Sequence, residues 1–204
     1  MVVENYKPQI DIDPDWEMVE LGELVKLVGG GTPSKKIDKY WKDGTIDWVS
    51  CSDFKSNSKY LPDSIRKITQ EGLENSSSNL IKKETLILVT RVSLGKLAIT
   101  KKPTAINQDL TALNFVSKSI NKYFVYYYLL SISDKIEQDG NGITVKGINR
   151  EYVKRIRIPL PTIKIQQQIV KQIEHEIELV NSSKQLIEIF EQKVNDRIAK
   201  VWGE

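Results

Sequence analysis

The spacing of hydrophobic positions changes character along the chain. Between Ile46 and Val116 they form short apolar runs, at 46–50, 86–90, 97–100 and 111–116. These are rich in β-branched residues and separated by Gly, Pro, Asn and Ser, a pattern that predicts strands. The runs at 86–90 and 97–100 flank Arg91, Val92, Ser93, Leu94, Gly95 and Lys96, which reads as a hairpin whose loop carries two cations. Between about 119 and 137, Phe124, Tyr128, Ile132 and Ile136 recur every fourth residue with Val125 and Leu129 beside them, predicting a helix with one buried face. The cluster Tyr126, Tyr127 and Tyr128 falls on this helix and is read as core, not as a platform for stacked bases. A first short helix is expected after Trp16, through Leu21, Leu24 and Leu27, stopping at Gly29-Gly30-Gly31.

From Pro161 onward neither glycine nor proline occurs before Gly203, which permits one helix from about Ile163 to Trp202. At 1.5 Å per residue it would be about 60 Å long. Ile173, Val180, Ile187, Val194 and Val201 stand seven residues apart. The intervening seam is poorer: Ile169 and Phe190 are apolar, whereas Glu176, Ser183 and Arg197 are not. Leu179, Leu186, Ile177, Ile189 and Ile198 widen the stripe. Such a pattern predicts a helix packed along its length against another. Folding back on its own globule is disfavoured, because about 60 Å exceeds the diameter of a globule of this size. Ile173, Val180, Ile187, Phe190, Val194 and Val201 are therefore expected to form a dimer interface. The fold class is α+β: an acidic linker with Pro8 and Pro14 over 1–15, a β-rich globular domain over 16–160, and a long helix within 161–204.

The 204 residues, 40% hydrophobic, can close a core without disulfides. No apolar run approaches the roughly 18 residues that cross a bilayer, and the N-terminus lacks the order of a secretory signal. A single cysteine, Cys51, and a single histidine, His175, exclude a disulfide framework and the common Cys/His zinc sites. A cytoplasmic protein with no membrane partner is expected. The net charge of +3 is unevenly spread. Residues 1–24 carry one Lys against seven Asp/Glu, residues 25–160 carry 23 Lys/Arg against 13 Asp/Glu, and residues 161–204 carry six against seven. The cationic middle suits a polyanion, although a well-solvated surface would look the same.

Catalytic readings find no assembled site. Gly29-Gly30-Gly31-Thr32-Pro33-Ser34 lacks the Gly-Lys-Ser/Thr that holds a nucleotide phosphate. Pro62-Asp63 with Glu84 lacks the lysine that a metal-dependent nuclease would carry two places after the glutamate. His175 lies among Glu174, Glu176 and Glu178, on a solvated face. No catalytic residue, metal or cofactor is expected on this chain. What remains is a set of polar and basic side chains in glycine-bearing loops. Arg91, Ser93, Asn107 and Gln108 are candidate base readers, and Lys35, Lys36, Lys96, Lys101 and Lys146 candidate phosphate contacts, because paired donors and acceptors read base edges while lysines neutralise phosphates.

Several motifs then carry a resemblance. Trp16-Glu17 with Leu21-Gly22-Glu23, the GGGTPS run at 29–34, Tyr40-Trp41 with GTIDWVS at 44–50, INQDL at 106–110 and IPLPTIKIQQQI at 158–169 occur in this order. Together they resemble the specificity subunits of type I restriction-modification systems. A full subunit of that family has two target-recognition domains and two long helices, whereas this chain has one of each. The resemblance implies a target-recognition domain that reads one half of a bipartite site in double-stranded DNA. It also implies a helix that forms an antiparallel coiled coil as ruler and docking surface. The expected partners are modification subunits, which bind S-adenosylmethionine and methylate adenine, a nuclease-translocase restriction subunit, and a second copy of the chain giving a homodimer and a palindromic target. Two other readings stay open: an assembly or decoy module that binds the partner subunits without reading DNA, and a stand-alone nuclease.

Overall fold

The computed structural model describes residues 6–55, 58–140 and 147–202. The chain enters through β1 (Met18–Glu20), makes one helical turn, α1 (Leu21–Leu24), and continues into β2 (Val25–Gly29). Strands β3 (Ile46–Val49) and β4 (Lys67–Ile68), helix α2 (Gln70–Glu74), and strands β5 (Asn79–Ile81), β6 (Leu86–Val89), β7 (Leu97–Ile99), β8 (Thr104–Ile106) and β9 (Leu110–Phe115) follow. The C-terminal part comprises α3 (Lys122–Ser131), α4 (Ser133–Asp139), α5 (Arg150–Arg155), β10 (Arg157–Pro159) and α6 (Ile163–Trp202).

Two four-stranded sheets form the β-rich body, in the orders β2-β9-β6-β7 and β4-β3-β8-β5. The first is antiparallel; the second contains the parallel pair β3 and β8. Leu86, Leu88, Leu97, Ile99 and Leu113 pack against the helices, while Ile87, Val89, Ala98 and Ala112 face Val49, Ile81 and Ile106 of the second sheet. The first sheet is thus covered on both faces, which is why β6 is apolar at every position instead of alternating. The hairpin β6–β7 forms in the expected place, with Leu86 opposite Ile99 and Leu88 opposite Leu97.

Two expectations are corrected here. The helix after Trp16 ends at Leu24, and Leu27 lies in β2 opposite Leu113, because pairing with β9 outweighs the local helical spacing. The helix of 119–137 breaks at Ile132 into α3 and α4, where the Ser131 hydroxyl donates to the Tyr128 carbonyl and competes for the helical ladder. Phe124 through Leu129 are all buried, so α3 is enclosed all round and the three tyrosines are core. Burial pushes the Tyr126 hydroxyl up to about 12.

The two ends of the domain meet. β1 and β10 pair antiparallel, Met18 opposite Pro159, and the Leu160 N–H donates to the Glu17 carbonyl at 2.8 Å. From this clasp α6 runs for 40 residues, with the bounds its sequence predicts. Gln166, only 1% exposed, fixes its root. The side-chain oxygen accepts the Asn121 N–H at 2.8 Å, at the N-cap of α3, and the amide donates to the Pro161 carbonyl at 2.8 Å. The described part of the acidic segment, 6–15, has no helix or strand, yet it is fastened. Pro8 is buried, the Tyr6 hydroxyl donates to Glu176 at 2.6 Å, and the Lys7 amino group donates to Ser133 at 3.0 Å.

Candidate nucleic-acid interface

The topology gathers several loops at one end of the β layers. β6 leaves and β7 returns through residues 90–96, and three backbone bonds tie neighbouring loops to that end. The Thr90 N–H donates to Asp109 at 2.8 Å, Asn107 N–H to Val49 at 3.0 Å and Gly31 N–H to Ile106 at 3.0 Å. Gly30 must be glycine in this arrangement, because a Cβ there would stand 1.9 Å from the Ile106 carbonyl oxygen. The glycine-rich run is therefore a close backbone crossing. Two indoles brace it: Trp48 donates to the Gly31 carbonyl and Trp41 to the Ser34 carbonyl, both at 3.1 Å.

Arg91, Ser93, Lys96, Asn107 and Gln108 come together at this end, and Lys35 and Lys36 are exposed where the braced run continues. Among the described residues, Lys35, Lys36, Arg91 and Lys96 make no ion pair, whereas Lys39, Lys59, Arg66 and Lys102 do. Unneutralised cations are what a phosphate surface needs. Gln108 is exposed; its oxygen accepts the Thr32 hydroxyl at 2.6 Å, and among the described residues its amide nitrogen has no acceptor.

Of the other candidates, one is turned inward at this end and one lies at the far end. Asn107 is 3% exposed and its side chain is consumed by its own loop: the oxygen accepts the Asp109 N–H at 3.0 Å and the amide donates to the Asp109 carboxylate at 2.7 Å. It shapes the loop instead of facing a ligand. Lys101 lies at the opposite end, because Ile99 pairs with Leu86 at the start of β6 and Lys101 follows it; its amino group stands 5.8 Å from the Tyr60 ring. The neighbouring Lys102 is pushed up to about 12 by hydrogen bonds from its amino group to Asp47 and Asp63. Lys146 lies outside the described residues. Asn107→Ala should lower stability by about 1–2 kcal/mol through the lost loop bonds. In a melting curve beside a DNA-binding titration, the shift is expected in the former without altered preference at a single base pair.

A shallow recess of about 480 Å³ adjoins these loops, lined by Lys35, Asp38, Trp41, Lys42, Trp48 and Arg66. Trp41 meets Trp48 edge-on at 5.2 Å, and the Arg66 guanidinium lies 4.9 Å from the Trp48 ring. Arg66 also donates to Ser50 at 2.7 Å and pairs with Asp53. No local signal in the sequence marks Arg66, because its partners lie 13 to 18 positions away.

The tip of the 90–96 loop is strained. Val92 has φ +70° and is 64% exposed, and the Ser93 N–H closes a three-residue turn on the Arg91 carbonyl at 2.9 Å. A β-branched residue in that region carries a steric cost that glycine does not. The surroundings hold it there: Leu94 is buried, Gly95 supplies its own φ of +76°, and Arg91 bridges Gly147. Val92→Gly is expected to raise stability by about 1 kcal/mol, read as a higher urea midpoint at unchanged slope. Behind this loop lies a groove of about 910 Å³, bounded on the other side by Ile177, Val180 and the residues that follow on α6.

The profile described as Type I restriction modification DNA specificity domain matches residues 14–191. The chain belongs to this family. The specificity subunit of type I restriction enzyme MjaIX from Methanocaldococcus jannaschii is 28% identical over 195 residues, covering 94% of this chain and 44% of that protein. The EcoR124I/EcoR124II specificity subunit from Escherichia coli is 34% identical over 173 residues, covering 81% of this chain and 42% of its own length. The chain thus spans less than half the length of these curated relatives. In fold it is similar to the HsdS subunit from Thermoanaerobacter tengcongensis, with TM-score 0.64, 19% identity and coverage of 86% and 41% of the two chains. It is also similar to a chain from a structural study of complex assembly and conformational transition in the type I R-M system, with TM-score 0.72, 18% identity and coverage of 94% and 46%.

As a DNA specificity domain, the chain shows an α+β body with one long helix. No helix among the described residues is long and apolar enough to cross a membrane. On α6 the predicted seam divides. Ile173 is 3% exposed and belongs to the domain's own core, beside Val170, so it is removed from the dimer interface. Val180 is half-buried at the groove, and Ile187, Phe190, Val194 and Val201 are exposed.

Proposed function

We propose that this chain is a non-catalytic DNA-reading subunit of a cytoplasmic type I restriction-modification system, contacting one half of a bipartite target through the loops at 30–36, 90–96 and 107–109. The observation that supports this most is the set of unpaired cations on one end of a rigid β body, from whose other layer a long apolar-striped helix projects. Arg91, Ser93 and Gln108 are the base readers in this reading, and Lys35, Lys36 and Lys96 hold phosphates. Two copies join through α6, so the target is palindromic with a fixed gap. Modification subunits carrying S-adenosylmethionine dock on the assembly and methylate adenine, and a restriction subunit joins them.

Selection of bound duplexes from a random pool, by the chain together with a modification subunit, tests this directly. Enrichment of two inverted half-sites at constant separation is expected. A pool that never enriches would instead support an assembly or decoy module. Within the same assay, Arg91→Ala should cost about 1–3 kcal/mol at the selected site and relax preference at one base pair, while Lys36→Ala should weaken all sequences alike and flatten the salt dependence. Unchanged preference in Arg91→Ala would remove it as a reader.

A further inference from the structure

Among the described residues, three that are not glycine have positive φ: Asp43 at +57°, Glu84 at +62° and Val92 at +70°. The first two are accounted for within the chain. Asp43 precedes Gly44 in a turn, and aspartate tolerates this conformation. The Glu84 N–H donates to the Thr100 carbonyl at 2.7 Å, and its carboxylate accepts from Lys122 and from the Tyr123 hydroxyl at 3.1 Å. Val92 has no such compensation. It is the one β-branched residue of the three, it is central to a three-residue turn of the strained hand, and its side chain is largely exposed. A glycine would make the same turn without the steric cost, so the isopropyl group stands there against the preference of the fold.

We infer that Val92 is a specificity-determining contact that recognises the C5 methyl group of a thymine in the major groove. This rests on the DNA-reading role proposed above and names the base and the atom that the loop reads. The surroundings favour a polyanion over a protein partner. Arg91 and Lys96 flank the tip without ion pairs among the described residues, and Leu94, the other apolar side chain of the loop, is turned inward at 5% exposed. A protein partner would be met by a contiguous apolar patch, whereas Val92 is a single apolar group between cations. It stands at the rim of the groove of about 910 Å³, and α6 on the far wall does not cover it. Among base edges the choice is narrow. The major groove admits a two-stranded ribbon such as β6–β7, and the thymine methyl is the apolar group that distinguishes a base there; the minor groove shows none.

Ser93 supports the same base. Its side-chain hydroxyl has no hydrogen bond among the described residues, and thymine places its O4 acceptor beside its methyl group. Consecutive residues that offer an apolar surface and a hydroxyl donor match that pair of groups. Cytosine presents an amino donor and no methyl in the same place, so it satisfies neither.

The experiment takes the half-site that the full chain and a modification subunit select from a random pool, and replaces each thymine in turn by deoxyuridine. This removes the methyl and leaves base pairing intact. The wild type is expected to lose about four-fold in affinity at one thymine of the half-site, and about fifteen-fold when both half-sites carry the change, the effect of one buried methyl group and of two. Val92→Gly and Val92→Asn both tolerate positive φ. Each should bind the thymine site less tightly by a similar factor and lose nothing more on deoxyuridine substitution at that position. Val92→Gly should also keep its raised urea midpoint, which separates a lost contact from a damaged fold. A selected half-site without thymine, or variants that still sense the missing methyl, overturns the inference while leaving DNA reading in place. So does a wild type indifferent to every deoxyuridine: weakened variants would then mark a wedge between base steps. A pool that never enriches overturns both the contact and the reading it rests on.

Discussion

Aspartate at both Ile187 and Val194 is expected to abolish dimerisation of the chain, with a loss of more than about a thousand-fold in the dissociation constant, equivalent to about 4 kcal/mol or more. Both side chains are exposed along the single chain, so the variant's own domain should melt where the wild type does. The two-fold axis doubles every substitution, and four carboxylates would then enter a seam built from Ile, Val, Leu and Phe. Burying an unpaired charge there costs several kcal/mol each, and the carboxylates also repel one another. Sedimentation equilibrium reads the association directly. In DNA binding, the variant should keep its preference for a single half-site and lose the advantage of two half-sites at fixed separation. A variant that remains dimeric would place the interface elsewhere on the molecule.

Gln166→Leu should destabilise the chain by about 3–4 kcal/mol, although the volumes are similar. Gln166 is the joint between the long helix and the body, and its partners are all backbone groups: the Asn121 N–H, the Pro161 carbonyl and, more distantly at 3.4 Å, the Ser119 carbonyl. Without the amide, the Asn121 N–H and the Pro161 carbonyl lose bonds of 2.8 Å at a site sealed from water. Each orphaned buried group costs about 1–3 kcal/mol, and a leucine gains little because the position is already packed. Urea unfolding gives the magnitude. Amide exchange gives the location: protection should fall first at Val170 and Ile173, the turns that dock the helix on the globule. A loss below about 1 kcal/mol would mean that water substitutes for the side chain, and the joint would then be a weak one.

Much of this architecture is legible in the sequence. The absence of glycine and proline after Pro161 sets both ends of α6, and the unbroken apolar run of β6 announces a strand covered on both faces. Short elements escape because two or three residues carry no period. β8 follows two lysines and a proline, and β4 is only Lys67 and Ile68; both exist because a neighbouring strand offers hydrogen bonds. In the candidate interface, Arg91, Ser93 and Lys96 were visible because a hairpin must present its loop at one end. Lys101 was misplaced because ten residues beyond Arg91 is one strand length, enough to carry the chain to the far side. Asn107 was misread because a short amide before Asp serves a turn as readily as a base edge. Ile173 fits the seven-residue spacing, but such spacing cannot tell the owner's globule from a foreign helix.

The clasp between β1 and β10 makes the globule a closed insert. Everything from Met18 to Pro159 begins and ends at one point, and on either side of that point the strap of residues 6–15 and the rod of α6 touch through Tyr6 and Glu176 without it. A different body could be grafted onto an unchanged rod if it kept both the paired ends and the surface on which Gln166, Val170 and Ile173 dock. On the function proposed above, the bases read and the distance between two readings would then be set by separate parts of a single polypeptide.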